Sequence, residues 1–105
     1  MTRSEFRERL SRRILVLDGA TGTELQRRGM PRGVCPETWV LDNPDVLREV
    51  QRAYIDAGAQ GVYSCTFGGN RAKLAEFGLQ ADVHRINRDL ARLSREVAGD
   101  AILVG

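Results

Sequence analysis

The chain has 105 residues, which is the size of one small domain or of part of a larger one. Its hydrophobic content of 42% favours a globular protein. Its net charge is +2, and its acidic and basic residues are interspersed, so the sequence shows no continuous basic surface for nucleic acid. No apolar run approaches the ~18 residues of a membrane span, and the charged start lacks the apolar core of a signal peptide. We therefore expect a cytoplasmic protein with neither nucleic acid nor a membrane as partner.

The beginning of the chain predicts a helix followed by a buried strand. Thr2 and Glu5 have the spacing of a capping box for a short helix. On that helix Phe6 and Leu10 lie four residues apart and can face the sheet together. The apolar run from 14 to 17 then predicts a strand buried on both faces.

A short helix and an irregular loop are predicted next. Thr21 with Glu24 again has the form of a capping box, here for a helix from about Gly22 to Arg28 that ends at Gly29. Residues 30–43 contain Pro31, Gly33 and Pro36 and are interpreted as an irregular excursion.

Asn43 and Pro44 predict the start of a longer helix, because Asn caps free N–H groups and Pro has none to lose at the first position. Gly58 ends this helix. Its apolar face is predicted to consist of Val46, Leu47, Val50, Ala53, Tyr54 and Ala57.

The remaining chain predicts two more strands separated by helices. Residues 60–65 form the next strand candidate, with Val62 as its clearest apolar member, and Asn70 can cap a helix that runs to about Phe77. A last strand is predicted at 101–104. The long helix before it carries an apolar series at steps of four, three and four, namely Ile86, Leu90, Leu93 and Val97.

This alternation of helices and strands predicts an α/β fold with a parallel sheet and right-handed crossovers. Three parallel strands with helices on one side leave the other face and both edges open to water. Since this is unfavourable for a monomer, we expect the chain to be a fragment of a larger sheet.

Asp18 is the first candidate site residue, because it follows directly after the predicted first strand. Enzymes of the α/β class keep their chemistry at this end of a parallel strand, where a carboxylate can bind a cationic group. An alternative is that Asp18 only accepts backbone N–H bonds in its own turn. The Gly19–Gly22 loop can hold a phosphate at a helix start, but it lacks the Lys of a P-loop and the G-x-G-x-x-G spacing.

The segment 66–70 is the second candidate, since its small residues let a ligand approach the backbone. An ordinary strand-to-helix turn is the alternative. Cys65 and Cys35 lie thirty positions apart without metal-binding spacing, and both are interpreted as reduced thiols in packing roles. His84 is interpreted as a surface residue and Trp39 as a packing anchor.

Several of these motifs occur together, in order and over essentially the whole chain. They are Leu17-Asp18-Gly19-Ala20-Thr21-Gly22-Thr23-Glu24-Leu25, Pro36-Glu37-Thr38-Trp39, Asn43-Pro44, Tyr54, Ala57-Gly58-Ala59 and Thr66-Phe67-Gly68-Gly69-Asn70-Arg71 with Lys73-Leu74. In this combination the chain resembles the homocysteine S-methyltransferase family, and within it the amino-terminal homocysteine domain of cobalamin-dependent methionine synthases.

The resemblance implies a (β/α)8 barrel, of which residues 1–105 would be the first three βα units, truncated after the third strand. It also implies zinc, which holds homocysteine as a thiolate, and cobalamin in the methionine synthases. The family's zinc-binding cysteines come from late strands, so we expect neither catalytic nor metal-binding residues in this chain. Alone it should be inactive, with the missing barrel half and folate and cobalamin domains as its partners.

The resemblance further implies which residues of this chain contact homocysteine. Asp18 would bind the ammonium group, and the loop after the second strand would lie close to the zinc. Gly68 stands where betaine-using relatives have a tyrosine, and Ser64-Cys65 replaces the Thr-Asn common in cobalamin-type relatives. The expected substrate-binding residues are Asp18, Gly19, Ala20, Thr66, Phe67 and Gly68.

Two other functions remain open. A standalone α/β module could bind an amino acid through the same residues without chemistry, and it should be a stable monomer, whereas a barrel fragment should be molten or associated. A nucleotide binder using the Gly19–Gly22 loop is the third possibility. The methyl donor is also open among methyltetrahydrofolate through cobalamin, betaine and S-methylmethionine.

Overall fold

The structure is a computed structural model that describes all residues, 1–105. It contains six α-helices, one short 3₁₀ helix and two strands. In chain order they are α1 (Arg3–Arg12), α2 (Gly22–Arg27), α3 (Pro36–Asp42), α4 (Pro44–Asp56), β1 (Gly61–Tyr63), α5 (Arg71–Ala75), the 3₁₀ helix (Gln80–Asp82), α6 (Val83–Ala98) and β2 (Ile102–Val104). None of the helices combines the length and apolarity that crossing a bilayer requires.

The two strands form a small parallel sheet, which confirms the α/β class and the parallel pairing. The paired residues are Gly61 with Ile102, Val62 with Leu103 and Tyr63 with Val104. A third segment lies parallel on the other side of β1, where Leu17 forms a bridge with Gly61. The Asp18 N–H donates to the Gly61 carbonyl at 3.0 Å. The carboxyl ends of three parallel segments therefore lie at the same end of the sheet.

The predicted first strand at 14–17 is wrong in its length and in its burial. Only Leu17 pairs with the sheet, through a single bridge. Ile14 is 89% exposed and Val16 is 52% exposed, so neither lies in a core. Because this segment is the open edge of the sheet, no element of the chain covers its apolar side chains.

The capping box of α1 is confirmed. The Thr2 hydroxyl accepts from the Glu5 N–H at 3.2 Å, and the Glu5 carboxylate accepts from the Thr2 N–H at 2.5 Å. The helix nevertheless buries none of its residues. Phe6 is half-buried but Leu10 is 46% exposed, so the two do not form a shared buried face.

Asn70 caps α5 as predicted, since its Oδ1 accepts from the Lys73 N–H at 2.9 Å. The helix ends at Ala75, before the predicted end at Phe77. The second predicted capping box is wrong, because Thr21 has a helical backbone and makes no capping hydrogen bond. The Glu24 carboxylate instead accepts from the Arg28 side chain at 2.8 Å.

The irregular excursion predicted for 30–43 is wrong in its second half, which forms α3. Pro36 occupies the first turn of this helix, where its missing N–H costs nothing. Asn43 joins α3 to α4, but its side chain does not cap α4 as predicted. Its Nδ2 donates back to the Trp39 carbonyl at 2.9 Å, and so satisfies the end of α3.

The core lies between α3, α4 and α6. The apolar series of α6 is confirmed as buried. On α4 the predicted face is only partly right, because Ala53 and Ala57 are exposed while the unpredicted Gln51 is 2% exposed. Gln51 Nε2 donates to the Tyr63 carbonyl at 2.9 Å and to the Ser94 hydroxyl at 3.0 Å. The main cluster contains Leu25, Met30, Cys35, Val40, Leu47, Val50, Leu74, Ile86, Leu90 and Leu93.

Candidate functional site

Asp18 lies at the end of the sheet where the carboxyl ends of the parallel segments meet. Its backbone continues the pairing with β1, and its Oδ1 accepts from the Tyr63 N–H at 3.1 Å. The side chain therefore binds the neighbouring strand rather than its own turn. This places a carboxylate beside the last residue of β1.

Partial burial raises the pKa of the Asp18 carboxyl above its usual value, because removal from water disfavours the charged form. The backbone N–H groups of Tyr63 and of Asp18 itself oppose this increase. A cation arriving at Asp18 would favour the ionised form and lower the pKa again. A carboxylate in this position can therefore pair with a cation.

The loop after Asp18 is held by α4. The Tyr54 hydroxyl donates to the Ala20 carbonyl at 2.7 Å. A Cβ on Gly19 would lie 3.2 Å from the Tyr54 hydroxyl oxygen, which is a tight contact. Gly19 therefore allows the loop to approach the tyrosine closely, and Tyr54 fixes the position of the loop.

The second predicted loop forms a tight turn after β1. The Gly69 N–H donates to the Thr66 carbonyl at 2.9 Å, and the hydroxyls of Ser64 and Thr66 lie 2.9 Å apart. Phe67, at the tip of the turn, is 100% exposed. A fully exposed aromatic side chain is available to a ligand or to another part of a protein.

A cleft of about 560 Å³ lies against this turn. It brings Thr66 and Phe67 together, whereas Gly68 borders a smaller neighbouring depression of about 260 Å³. Asp18, Gly19 and Ala20 border neither, although their neighbours Thr21 and Tyr63 line the cleft. The cleft is lined by Thr21, Gly22, Leu25, Pro36, Glu37, Tyr63, Ser64, Cys65, Thr66, Phe67, Val104 and Gly105.

A depression of similar size, about 580 Å³, lies elsewhere, between α1 and residues 99–105. It contains none of the predicted site residues. We therefore take the cleft beside the Thr66 turn as the candidate site.

Glu37 is a site residue that the sequence analysis did not predict. It is only 4% exposed, and its Oε1 accepts from the Gly68 N–H at 2.8 Å. Its Oε2 accepts from the Cys35 thiol at 3.4 Å. Its burial is indicated in the sequence only by its spacing from Val40. The two residues lie three positions apart and share one face if the segment is a helix, as it is in α3.

The two cysteines are free thiols, as expected. Burial, together with the nearby charge of Glu37 and the nearby Cys35, raises the pKa of Cys65 to about 12. Cys65 therefore stays protonated near neutral pH and is unsuited to nucleophilic attack. Cys35 is buried in the core cluster, and His84 is exposed on α6, as predicted.

The chain's own residues do not fit a metal centre. No group of three or more His, Cys, Asp or Glu side chains is close enough to hold a metal ion. Cys35, Glu37 and Cys65 lie near one another, but they do not form such a group.

The sequence profile of the homocysteine S-methyltransferase family matches residues 15–105. The chain belongs to this family. It is 34% identical over 97 residues to the methionine synthase of Mycobacterium tuberculosis, and 32% identical over 103 residues to that of Mycobacterium leprae. These matches cover 87% and 92% of the chain but only 8% of each relative's length.

A solved structure supports the same family at the level of the fold. The metallated form of the homocysteine methyltransferase MmuM from Escherichia coli superposes on 95% of the chain with a TM-score of 0.75 and 28% identity. The chain covers 40% of that structure. The family prediction is thereby confirmed, while the chain spans less than half of each of these proteins.

Proposed function

We propose that this chain forms part of a homocysteine-binding domain in a methyltransferase that converts homocysteine to methionine. Membership of the family supports the reaction. The observation that carries the proposal is that two loops lie together at the carboxyl end of the sheet. Asp18 accepts a hydrogen bond from the last residue of β1, and the Thr66 turn follows β1. Together they supply a carboxylate and an adjacent cleft for an amino acid.

In this proposal Asp18 binds the ammonium group of homocysteine. One carboxylate oxygen is already oriented by the Tyr63 N–H, so little reorganisation is needed when the substrate arrives. The charge-assisted hydrogen bond would offset the cost of partial burial that raises the pKa of Asp18. Gly19 and Ala20 would line the same end of the substrate through their backbone.

The Thr66 turn would contact the remainder of the substrate. Thr66 and Phe67 line the cleft, and Gly68 follows them in the same turn. A small-residue turn lets the substrate lie against the backbone, and the exposed Phe67 ring can cover its methylene groups. The chain would thus orient homocysteine without taking part in bond formation.

We assign no metal-dependent step to these residues, because they do not form a metal centre. In the full-length protein, zinc would be held by residues outside this chain, as the family resemblance implies. The similarity to methionine synthases favours cobalamin as methyl carrier, bound by domains other than this one. On its own, the chain would not transfer a methyl group.

We also propose that residues 1–105 are the first βα units of a (β/α)8 barrel. The TM-score of 0.75 against 40% of the Escherichia coli methyltransferase supports this placement. The barrel placement also accounts for the position of the proposed binding site, since barrels bind substrates at the carboxyl ends of their strands. Asp18 and the Thr66 turn both lie at that end.

The proposal is tested by calorimetric titration of the full-length protein with homocysteine. Asp18→Asn keeps an oxygen for the Tyr63 N–H but removes the charge, so affinity should fall about tenfold to a hundredfold while thermal stability changes little. Asp56→Asn, an exposed carboxylate at the end of α4, is the matched control and should bind like the wild type. Equal affinity of Asp18→Asn and wild type would contradict the assignment.

A further inference from the structure

Glu37 is a buried carboxylate without a cationic partner. It is 4% exposed, and its two hydrogen bonds come from the Gly68 N–H and the Cys35 thiol. Placing a charge in a protein interior is costly unless hydrogen bonds compensate for the lost water. A neutral side chain at this position would pack without that cost, so the presence of a carboxylate indicates that it has a specific role.

The backbone of the Thr66 turn is pressed against this carboxylate. A Cβ on Gly68 would lie 2.7 Å from Glu37 Oε1 and 3.2 Å from Glu37 Cδ. Only glycine permits so close an approach. The 2.8 Å hydrogen bond from the Gly68 N–H then uses this proximity to hold the turn against α3.

The carbonyl of the following residue, Gly69, is held by α6. Asn87 Nδ2 donates to the Gly69 carbonyl at 2.6 Å and to the Val83 carbonyl at 2.8 Å. A Cβ on Gly69 would lie 2.8 Å from Asn87 Oδ1. Two consecutive glycines are therefore fixed between a side chain of α3 and a side chain of α6, which defines the position of the turn.

We propose that Glu37 is a positioning residue of the binding cleft. It acts through the Gly68 N–H and holds the Thr66 turn in the shape that lines the cleft. This inference rests on the proposed function, since homocysteine is the ligand whose binding would depend on the turn. Glu37 itself touches no reacting atom in this account.

The test compares four single variants, and the double variant Glu37→Ala with Gly68→Ala, in the full-length protein by homocysteine affinity, melting temperature and exchange of the Gly68 amide hydrogen. Glu37→Ala removes the acceptor, Glu37→Gln keeps an oxygen at similar reach, and Gly68→Ala brings a methyl group against the carboxylate. Asp42→Asn is the matched control, because it removes a carboxylate from the same helix at an exposed position.

We expect Glu37→Ala to weaken homocysteine binding about tenfold and to speed exchange of the Gly68 amide, with Glu37→Gln restoring both to near the wild-type values. Gly68→Ala should also weaken binding about tenfold, and much less so when Glu37 is already alanine, because the two changes act on one contact. A purely structural role would lower the melting temperature without this rescue or this coupling.

Two outcomes separate this inference from the proposed function. If the wild type binds homocysteine and Glu37→Ala binds it equally well, the positioning role is overturned. If the wild type does not bind homocysteine, the proposed function fails, and the Gly68 exchange rates still decide whether Glu37 holds the turn. Should Glu37→Ala not fold, unchanged affinity in Gly68→Ala would overturn the inference.

Discussion

Two carboxylates, one beside the candidate cleft and one in its wall, differ in how far the sequence predicts their positions. The position of Asp18 at the end of a parallel segment could be predicted, because it follows an apolar run and precedes glycines. The position of Glu37 could not, because its burial depends on α3, which forms in a segment whose two prolines and one glycine predict a loop. The sequence shows which residues follow a strand, but not which distant backbone they touch.

The raised pKa of Asp18 gives homocysteine binding a specific pH dependence. Protonation removes the negative charge that the ammonium group needs, so affinity should fall as the pH is lowered through the raised pKa of Asp18. The decline should begin at a higher pH than the ordinary aspartate value of about 3.9 would give. Calorimetric titrations across this acidic range measure it.

Asp18→Asn is the control for this pH effect. Its weaker binding should be nearly independent of pH over the same range, because no carboxyl titrates at that position. A decline in Asp18→Asn as steep as that of the wild type would show that another group is responsible.

Most of the helices and strands could be predicted in their order, but α3 forms where a loop was predicted, and the first predicted strand is reduced to a bridge at Leu17. The lengths and ends of the elements could not be predicted. Asn70 caps α5 because its side chain reaches the backbone three residues on, which is a local contact. Thr21 is also predicted as a cap, in a capping box with Glu24, and makes no such bond, since its backbone is already helical. The strands are shorter than the predicted segments 60–65 and 101–104, because the extent of a strand depends on pairing with neighbours that are distant in the sequence.

The pairing of the three parallel segments requires a glycine at position 61. A Cβ there would lie 2.8 Å from Leu17 Cδ2 and 3.2 Å from the Ile102 carbonyl oxygen. Gly61→Ala should therefore lower the free energy of unfolding by about 1 to 3 kcal/mol. Urea denaturation measures this value.

Gly22→Ala is the matched control for the strand substitution. Gly22 begins α2, and a Cβ there would meet nothing within 4 Å. Alanine should be neutral or stabilising by up to about 1 kcal/mol, because it favours the helix and restricts the unfolded chain. Equal losses from both substitutions would contradict the crowding at Gly61.

At the scale of the molecule, the open edge of the sheet is the main departure from the predicted buried strand. Ile14 and Val16 are exposed because no element within residues 1–105 covers them. Under the barrel proposal, further strands of the full-length protein do so. The α/β class could be predicted from the chain alone, whereas under this proposal the burial of the edge would depend on residues outside the chain.

This proposal predicts how residues 1–105 behave when expressed alone. The exposed apolar edge should drive association, so light scattering should give a mass above the single-chain value of 11.7 kDa that rises with concentration. Replacing both edge residues, Ile14→Lys with Val16→Lys, should shift the mass towards one chain. A monomeric wild type with cooperative unfolding would instead favour the standalone binding module.

Homocysteine binding beside Asp18 is tested most directly by a crystal structure of the full-length protein with homocysteine. We expect the ammonium group within hydrogen-bond distance of the Asp18 carboxylate, and the substrate in contact with the Thr66 turn. Homocysteine bound elsewhere, with Asp18 paired only to the Tyr63 N–H, would contradict it.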